Sequence, residues 1–333
     1  MAAFALLAGL PAATVATQND SRTDSRTGAR TEFEIAEKAP RGAVPSLFGE
    51  ELLEPGVLGV GRIARDVSEH LPRVEAMAAY LSPRIAALGF TRARPVLARD
   101  NAEMADFLRR GIVDLFSESP VSAVHLAETA GALILLRERR EGSATYSSVI
   151  FVRSDSPVRT LSDLRGRRVA FEDAGSTTTC LLPLAAIKSA GVETALLEEP
   201  ASPPVPGVAA YYFTLSESSI PTAVARSAAD AGALSNLGWD KLNLKMPAAV
   251  ARLRVIHTSQ AVPRAFAMTG PAVTPSQRDG LRALLLAMQD SADGREVLQE
   301  YGDVDGFDTI NAALEGDIAG LESTYALVRE EMR

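Results

Sequence analysis

Cysteine occurs once in this 333-residue chain, at Cys180, so an intramolecular disulfide and a cysteine-rich metal cluster are both excluded. The redox compartment stays open on this criterion. Histidine is nearly as scarce: His70, His125 and His257 are scattered without the spacing of a zinc-ligating pair, and a zinc enzyme is not expected. Positive charge is also in deficit. A net charge of -8 argues against the broad basic surface that nucleic acid or an anionic membrane requires, so any anion site must be local. Catalytic signatures are missing as well. There is no G-x-S-x-G elbow, Gly59-Val60-Gly61 is only part of a dinucleotide fingerprint, and Gly175-Ser176-Thr177-Thr178-Thr179 lacks the lysine of a P-loop.

What is present is an ordinary globular balance, 47% hydrophobic and 23% charged, in a chain long enough for two lobes with a core each. Residues Ala2 to Ala16 are almost wholly apolar or small, too few to span a bilayer but suited to a signal-peptide core ending at Thr14-Val15-Ala16. A signal-like segment over 1–18, and hence secretion, is the expectation, although no Lys or Arg precedes Arg22 to form the usual basic start. A frayed Ala-rich terminus is the plainer alternative. Leu6-Leu7-Ala8-Gly9 would make a lipobox if cysteine followed, but Leu10 follows, so no lipid anchor is expected there. Residues 19–50 are rich in Thr, Ser, Asp, Arg, Gly and Pro with little apolar periodicity, and read as a disordered linker.

Beyond that point strands and helices alternate. Val57 to Gly61 is a short apolar run suited to a buried parallel strand, and Asp66 to Leu88 carries Val67, Leu71, Val74, Met77, Ala78 and Leu81 at helical spacing before Gly89. A strand at Ala93 to Leu97, a helix at Ala102 to Arg110 and a strand at Ile112 to Phe116 follow, which is the pattern of a parallel sheet with crossover helices. Ala132 to Leu136 and Ser147 to Val152 read as adjacent strands. A second unit starts with the strand Arg168 to Phe171 and continues through Thr179 to Ala190, Ala195 to Leu197, Ser219 to Ala228 and Asp230 to Leu234. Leu253 to His257 reads as a strand returning the chain to the first lobe, and Pro275 to Asp290 and the tail from Asp308 to Glu331 as helices.

Three segments at strand-to-helix edges could hold an anion. The first is Ser176-Thr177-Thr178, where a helix start offers free N–H groups, the positive end of the dipole and hydroxyl donors without any lysine. Ordinary N-capping explains the same residues equally well. The second is Ser216-Glu217-Ser218-Ser219, and the third is Asp230 with Ser235-Asn236. Across from them, Ser117-Glu118-Ser119 follows a strand end, where ligands of open α/β sheets collect. A carboxylate beside an oxyanion can accept the proton of a monoprotonated phosphate-like group or pair with a ligand amine. Taken alone, each of these acids reads as a solvated loop residue or cap. Cys180, Trp239 and Tyr211-Tyr212 read as core residues.

The run Tyr146 to Ser156, then Leu161-Ser162-Asp163-Leu164-Arg165-Gly166, then Val169 to Thr178, resembles the PhnD-type phosphate/phosphite/phosphonate-binding proteins of ABC transporters. Similarity extends over roughly 57 to 300. The resemblance implies a type II periplasmic binding fold, with two α/β lobes joined by a two-strand hinge and the ligand enclosed between them. Lobe 1 is expected over 55–152 with 245–333, and lobe 2 over 153–244. It also implies that Ser176, Thr177 and Thr178 hold the oxyanion, with Ser117, Glu118, Ser119, Tyr146, Glu217, Ser218 and Asn236 as further contacts. No catalytic residue, metal, cofactor or nucleic acid is expected. The implied partners are a small oxyanion and an ABC permease, served by a monomer. Two rivals stand beside this reading. One is a periplasmic sensor subunit presenting an oxyanion such as arsenite to a histidine kinase; the other is an enzyme on the same fold, which would need a catalytic Cys or His.

Overall fold

Leu58 and Val60 alternate with Gly59 and Gly61 along the first strand, β1 (Val57–Ile63), and that alternation fixes its two faces. The two apolar side chains enter a core, while the glycines let the segment at Ile112 and Val113 lie directly on the backbone. A Cβ on Gly59 would fall 1.9 Å from the Ile112 carbonyl oxygen. Packing of backbone on backbone, not a dinucleotide turn, therefore accounts for Gly59-Val60-Gly61. The computed structural model describes residues 55–331, apart from 65 and 204; the expected signal-like segment and linker lie outside the described residues.

Helix α1 (Val67–Leu81) follows, capped by Asp66, whose carboxylate accepts the Glu69 N–H. It stops short of the expected Leu88, because two 3-10 turns carry the chain to Gly89, a left-handed residue at φ 85°. Then come β2 (Arg92–Ala98), α2 (Asn101–Arg109), β3 (Leu115–Glu118), α3 (Pro120–Ala130) and β4 (Leu133–Arg140). The next stretch holds β5 (Thr145–Tyr146), β6 (Ser148–Arg153), β7 (Arg168–Phe171), α4 (Leu182–Ser189), β8 (Thr194–Leu196), β9 (Ala209–Phe213), α5 (Ile220–Ala225) and β10 (Ala231–Ser235). The chain closes through α6 (Asn236–Lys245), α7 (Pro247–Val250), β11 (Leu253–Thr258), β12 (Val262–Pro263), β13 (Ala265–Thr269), α8 (Pro275–Met288), α9 (Ala292–Gly302), β14 (Val304–Asp308) and α10 (Ala312–Val328).

These strands form two six-stranded sheets of matching plan, β14-β4-β13-β3-β1-β2 and β11-β6-β10-β7-β9-β8. Each has a parallel block (β3-β1-β2; β10-β7-β9-β8) extended by antiparallel strands. The chain passes between the sheets twice, and the two passages pair as the short antiparallel ladder of β5 with β12, Tyr146 opposite Val262 and Thr145 opposite Pro263. This is the type II two-lobe plan with its two-strand hinge.

Two sequence expectations are corrected by the pairing. β4 and β6 are not neighbours: β4 pairs with β13 and β14 in the first sheet, whereas β6 pairs with β10 and β11 in the second. β11 likewise belongs to the second sheet, and the return to the first occurs after it, at β12. The expected lobe boundaries at 152/153 and 244/245 therefore cut off strands that the hydrogen bonding joins. β6 carries the same buried apolar run as its parallel neighbours and β11 is a partly exposed edge strand, so composition alone does not reveal which sheet holds them.

One core, including Leu58, Val74, Met77, Leu281, Leu285 and Leu298, packs α1, α8 and α9 on one face of the first sheet. A second continuous core, including Phe116, Leu126, Ile150, Phe171, Leu184 and Leu321, runs from the other face onto the second sheet through α3, α4 and α10. Cys180 and Tyr211 lie in that core, and Trp239 packs on Phe151 at 5.2 Å between ring centroids in a third. No helix among the described residues is long and apolar enough to cross a membrane. Gly59→Ala is expected to destabilise the protein by about 3 kcal/mol or more, because the Ile112 backbone cannot move aside without breaking the β1–β3 pairing. Urea denaturation measures it, and a change below about 1 kcal/mol would refute the close-approach account.

Candidate functional site

The carboxyl ends of the parallel strands in both sheets open onto one cleft. On the second sheet, β7 ends at Phe171 and leads through Glu172-Asp173-Ala174-Gly175 to Ser176, the N-cap of a π-helical turn, Thr177–Leu181, that runs into α4. Ser176 accepts the Thr179 N–H through its hydroxyl, and the wide turn is marked by the Leu181 N–H reaching the Ser176 carbonyl at 3.1 Å. Thr177, Thr178 and Thr179 are all buried. π-helical turns of this kind recur at functional sites. Thr177 and Thr178 occupy the first turn, where backbone N–H groups have no acceptor within their own helix.

On the first sheet, Ser119 caps α3 and Pro120 fills its first position, so Val121 has the first amide N–H of that helix. That N–H donates to Thr177 Oγ1 at 3.0 Å, and Ser119 Oγ donates to the Gly175 carbonyl at 2.8 Å. Two helix starts, one from each sheet, thus meet across the cleft. Between them lies a cavity of about 270 Å3 lined by Ser119, Tyr146, Glu172, Asp173, Gly175, Ser176, Thr177, Thr178, Glu217, Ser235 and Arg264. Six of the ten residues expected from the sequence converge there: Ser119, Tyr146, Ser176, Thr177, Thr178 and Glu217. Ser117 and Glu118 line an adjoining cavity of about 420 Å3 together with Arg62, His70, Arg140 and Arg264.

The remaining candidates lie elsewhere. Ser218 shares a hydrogen bond with Ser216 in an exposed turn, and Asn236 accepts the Ser147 N–H at 2.8 Å, clamping the start of β6; neither lines these two cavities. Asp230 precedes β10 and so sits at the far end of the sheet, where it accepts the Arg168 N–H. Its neighbour by sequence, Ser235, is at the cleft end of the same strand. The residues missed by sequence reasoning are chiefly Arg62, Arg140 and Arg264. Each sits at a strand end or crossing on the first sheet's cleft edge, and no local motif distinguishes such an arginine from a surface one.

The acids here are held by neighbouring donors. Glu217 Oε1 accepts from the Ser235 N–H at 2.9 Å and from Ser235 Oγ at 3.0 Å, at the start of α6. Asp173 accepts the Gly175 N–H at 2.7 Å, and Glu172 accepts from Thr179 Oγ1 at 3.1 Å. Burial, with Asp173 and Glu217 nearby, pushes the Glu172 carboxyl above its ordinary range. The Tyr146 hydroxyl pairs with Thr177 and is pushed up to about 12 by burial, while the Arg264 guanidinium lies 5.4 Å from its ring centroid. Burial also drives the Cys180 thiol far above the ordinary thiol range, which unsuits it as a nucleophile.

Glu118 accepts N–H groups from Ile63 at 2.9 Å and Ser119 at 3.4 Å, yet burial outweighs these and the arginine charges and pushes its carboxyl up to about 7. The folded state therefore binds this proton more tightly than the unfolded chain. The resulting stabilisation is full below the ordinary carboxylate range and is lost as pH rises through about 7. Glu118→Gln should flatten the fall in unfolding free energy between about pH 5 and about pH 8 by on the order of 2 kcal/mol. Urea denaturation of both proteins across that range checks it, and an unchanged slope would assign the titration to another group.

Comparison with known proteins gives the family. Residues 64–314 match the family model described as "ABC transporter, phosphonate, periplasmic substrate-binding protein". Among solved structures, XAC2383 from Xanthomonas citri, determined bound to chloride ion, is 31% identical with a TM-score of 0.78, over 83% of this chain and 99% of that one. The same protein has been solved bound to ATP. PhnD1 from Prochlorococcus marinus in complex with methylphosphonate shares the fold at a TM-score of 0.60 and 17% identity, over 83% of this chain and 100% of its own.

Proposed function

Because the chain belongs to the periplasmic substrate-binding proteins of phosphonate ABC transporters, we propose that it captures a small phosphate-like oxyanion between its lobes and presents it to a membrane permease. The observation that carries this reading is the meeting of two helix starts at one small cavity. The first turn of the Ser176–Leu181 segment aims its N–H groups at this space beside the start of α3, whose Val121 N–H is taken by Thr177 Oγ1, and Ser119, Ser176, Thr177 and Thr178 add hydroxyls. Such an array binds an oxyanion without lysine.

Binding is by closure. In the open form the lobes swing apart about β5 and β12, the anion enters, and return of the lobes expels water and remakes the contacts of Ser119 with Gly175 and Val121 with Thr177. Glu172, Asp173 and Glu217 set a condition on the ligand. A fully ionised oxyanion is repelled by them, whereas a monoprotonated one donates its proton to a carboxylate and gains a charge-assisted hydrogen bond. Phosphate, phosphite and phosphonates meet that condition near neutral pH, and sulfate does not. No bond is made or broken in this cycle, and the protein acts as a monomer without a cofactor. The ATP held by the Xanthomonas citri relative adds nucleotides to the ligands worth testing.

Titration calorimetry with phosphate, phosphite, methylphosphonate, ATP and sulfate tests the proposal. At least one phosphorus oxyanion should bind and sulfate should not. Ser176→Ala and Thr177→Ala should each weaken the best ligand by about tenfold to a hundredfold, the loss of one hydrogen bond to a charged group. If both variants bind like wild type, the anion is held elsewhere.

A further inference from the structure

The cleft has two adjoining compartments, and most of its arginines line one of them. The one with the hydroxyl groups carries Glu172, Asp173 and Glu217; the larger one adjoins it through Ser119, Glu172 and Arg264 and is walled by Arg62, Arg140 and His70. The three guanidinium groups differ in how far their charge is already met. Arg140 is neutralised by the buried Glu138 carboxylate at 2.5 Å. Arg264 shares the Glu141 carboxylate with Lys241, two cations to one anion, and its buried Nε meets no acceptor.

Arg62 has neutral partners. Its Nη1 donates to the Tyr301 carbonyl at 2.7 Å and its guanidinium lies 5.5 Å from the Tyr301 ring centroid, while no carboxylate among the described residues forms an ion pair with it. Glu118, on the same sheet edge, accepts two backbone N–H groups, and burial pushes its carboxyl up to about 7 even with the Arg62 charge nearby. Burial and the Arg62 charge lower the pKa of His70 at the other wall. The compartment thus sets three guanidinium groups beside the Glu118 and Glu172 carboxyls, and of the three only Arg62 has no ion-pair partner among the described residues.

We propose that this compartment takes a second anionic group, a carboxylate or a further phosphoryl, on the tail of a ligand whose oxyanion head sits at Ser176, Thr177 and Thr178. The substrate class is then a doubly anionic phosphonate or phosphate derivative, not a simple alkyl or aminoalkyl phosphonate. This assignment rests on the head site proposed above. Arg62, with its fork of donors uncommitted to any carboxylate, and Arg264 are the residues that read the tail.

Calorimetry on the full chain with four probes separates the possibilities: methylphosphonate with no charged tail, phosphonoacetate with a carboxylate, methylenediphosphonate with a second phosphoryl, and 2-aminoethylphosphonate with a cation. The wild type should prefer one or both doubly anionic probes to methylphosphonate by about tenfold or more, and the aminoalkyl probe should bind most weakly. In Arg62→Gln the ratio of doubly anionic to methylphosphonate affinity should collapse towards one. Which of the two tails wins identifies the group. Equal binding of all four probes, or preference for the amine, would overturn the proposal with no variant needed. A ratio unaltered in Arg62→Gln would overturn the assignment to Arg62. If none of the four probes binds, it is the head site itself that has failed.

Discussion

Two helix starts cannot be brought together without something negative between them. Each carries the positive end of a helix dipole and N–H groups with no acceptor, so α3 and the Ser176–Leu181 turn repel unless an acceptor intervenes. The protein supplies two acceptors of its own, the Thr177 hydroxyl for the Val121 N–H and the Gly175 carbonyl for Ser119. Much of the architecture follows from arranging that meeting. Both sheets turn the carboxyl ends of their parallel strands to the cleft, which is where crossover helices begin, and the paired β5 and β12 carry the chain from one sheet to the other.

The far ends of the same helices are held by α10. It packs on both α3 and α4, with Leu321, Tyr325 and Val328 buried in the core that runs onto both sheets. Tyr325 bonds His125 on α3, Arg329 pairs with Glu128 on α3, and Glu331 pairs with Lys188 on α4 and bonds Thr194 beyond it. The starts of α3 and α4 face the ligand while their bodies share one apolar support. The exposed Arg329–Glu128 pair is worth about 1 kcal/mol at most, so the alignment of the two helices rests on the buried side chains.

The sequence made the alternation of strands and helices legible because buried parallel strands and amphipathic helices leave distinct periodicities. It also placed Ser176-Thr177-Thr178 at a helix start, through its Gly-Ser-Thr-Thr-Thr composition and the family pattern around it. It did not reveal sheet membership. β13 (AFAMT) is a short, fully buried apolar run, and β6 and β11 look like any strand beside a loop, so their long-range partners left no local trace. The helix α3, which brings half of the cleft, was missed because its sequence PVSAVHLAETA is buried nearly all round and lacks a polar stripe. The three cleft arginines share that difficulty: Arg62 and Arg264 lie about two hundred residues apart in sequence, and only the order β13-β3-β1 brings their strand ends to one edge.

An acidic protein that binds an anion has to keep its own carboxylates from competing. Here that is done by giving each cleft acid a donor in advance. Glu217 occupies the start of α6, a third helix terminus that would otherwise attract the ligand, and Asp173 and Glu118 are fastened to backbone N–H groups. The acids around the two helix starts are fixed in place by these donors. The arginines fall on the opposite sheet edge, with Arg140 neutralised and Arg62 and Arg264 only partly so. Arginines and carboxyls thus meet in the cleft even though the chain as a whole is negative. On the proposed reading, a ligand with one charged end would satisfy one wall and leave the other unmet, so that its tail would set selectivity while the hydroxyl-rich helix start gripped the head.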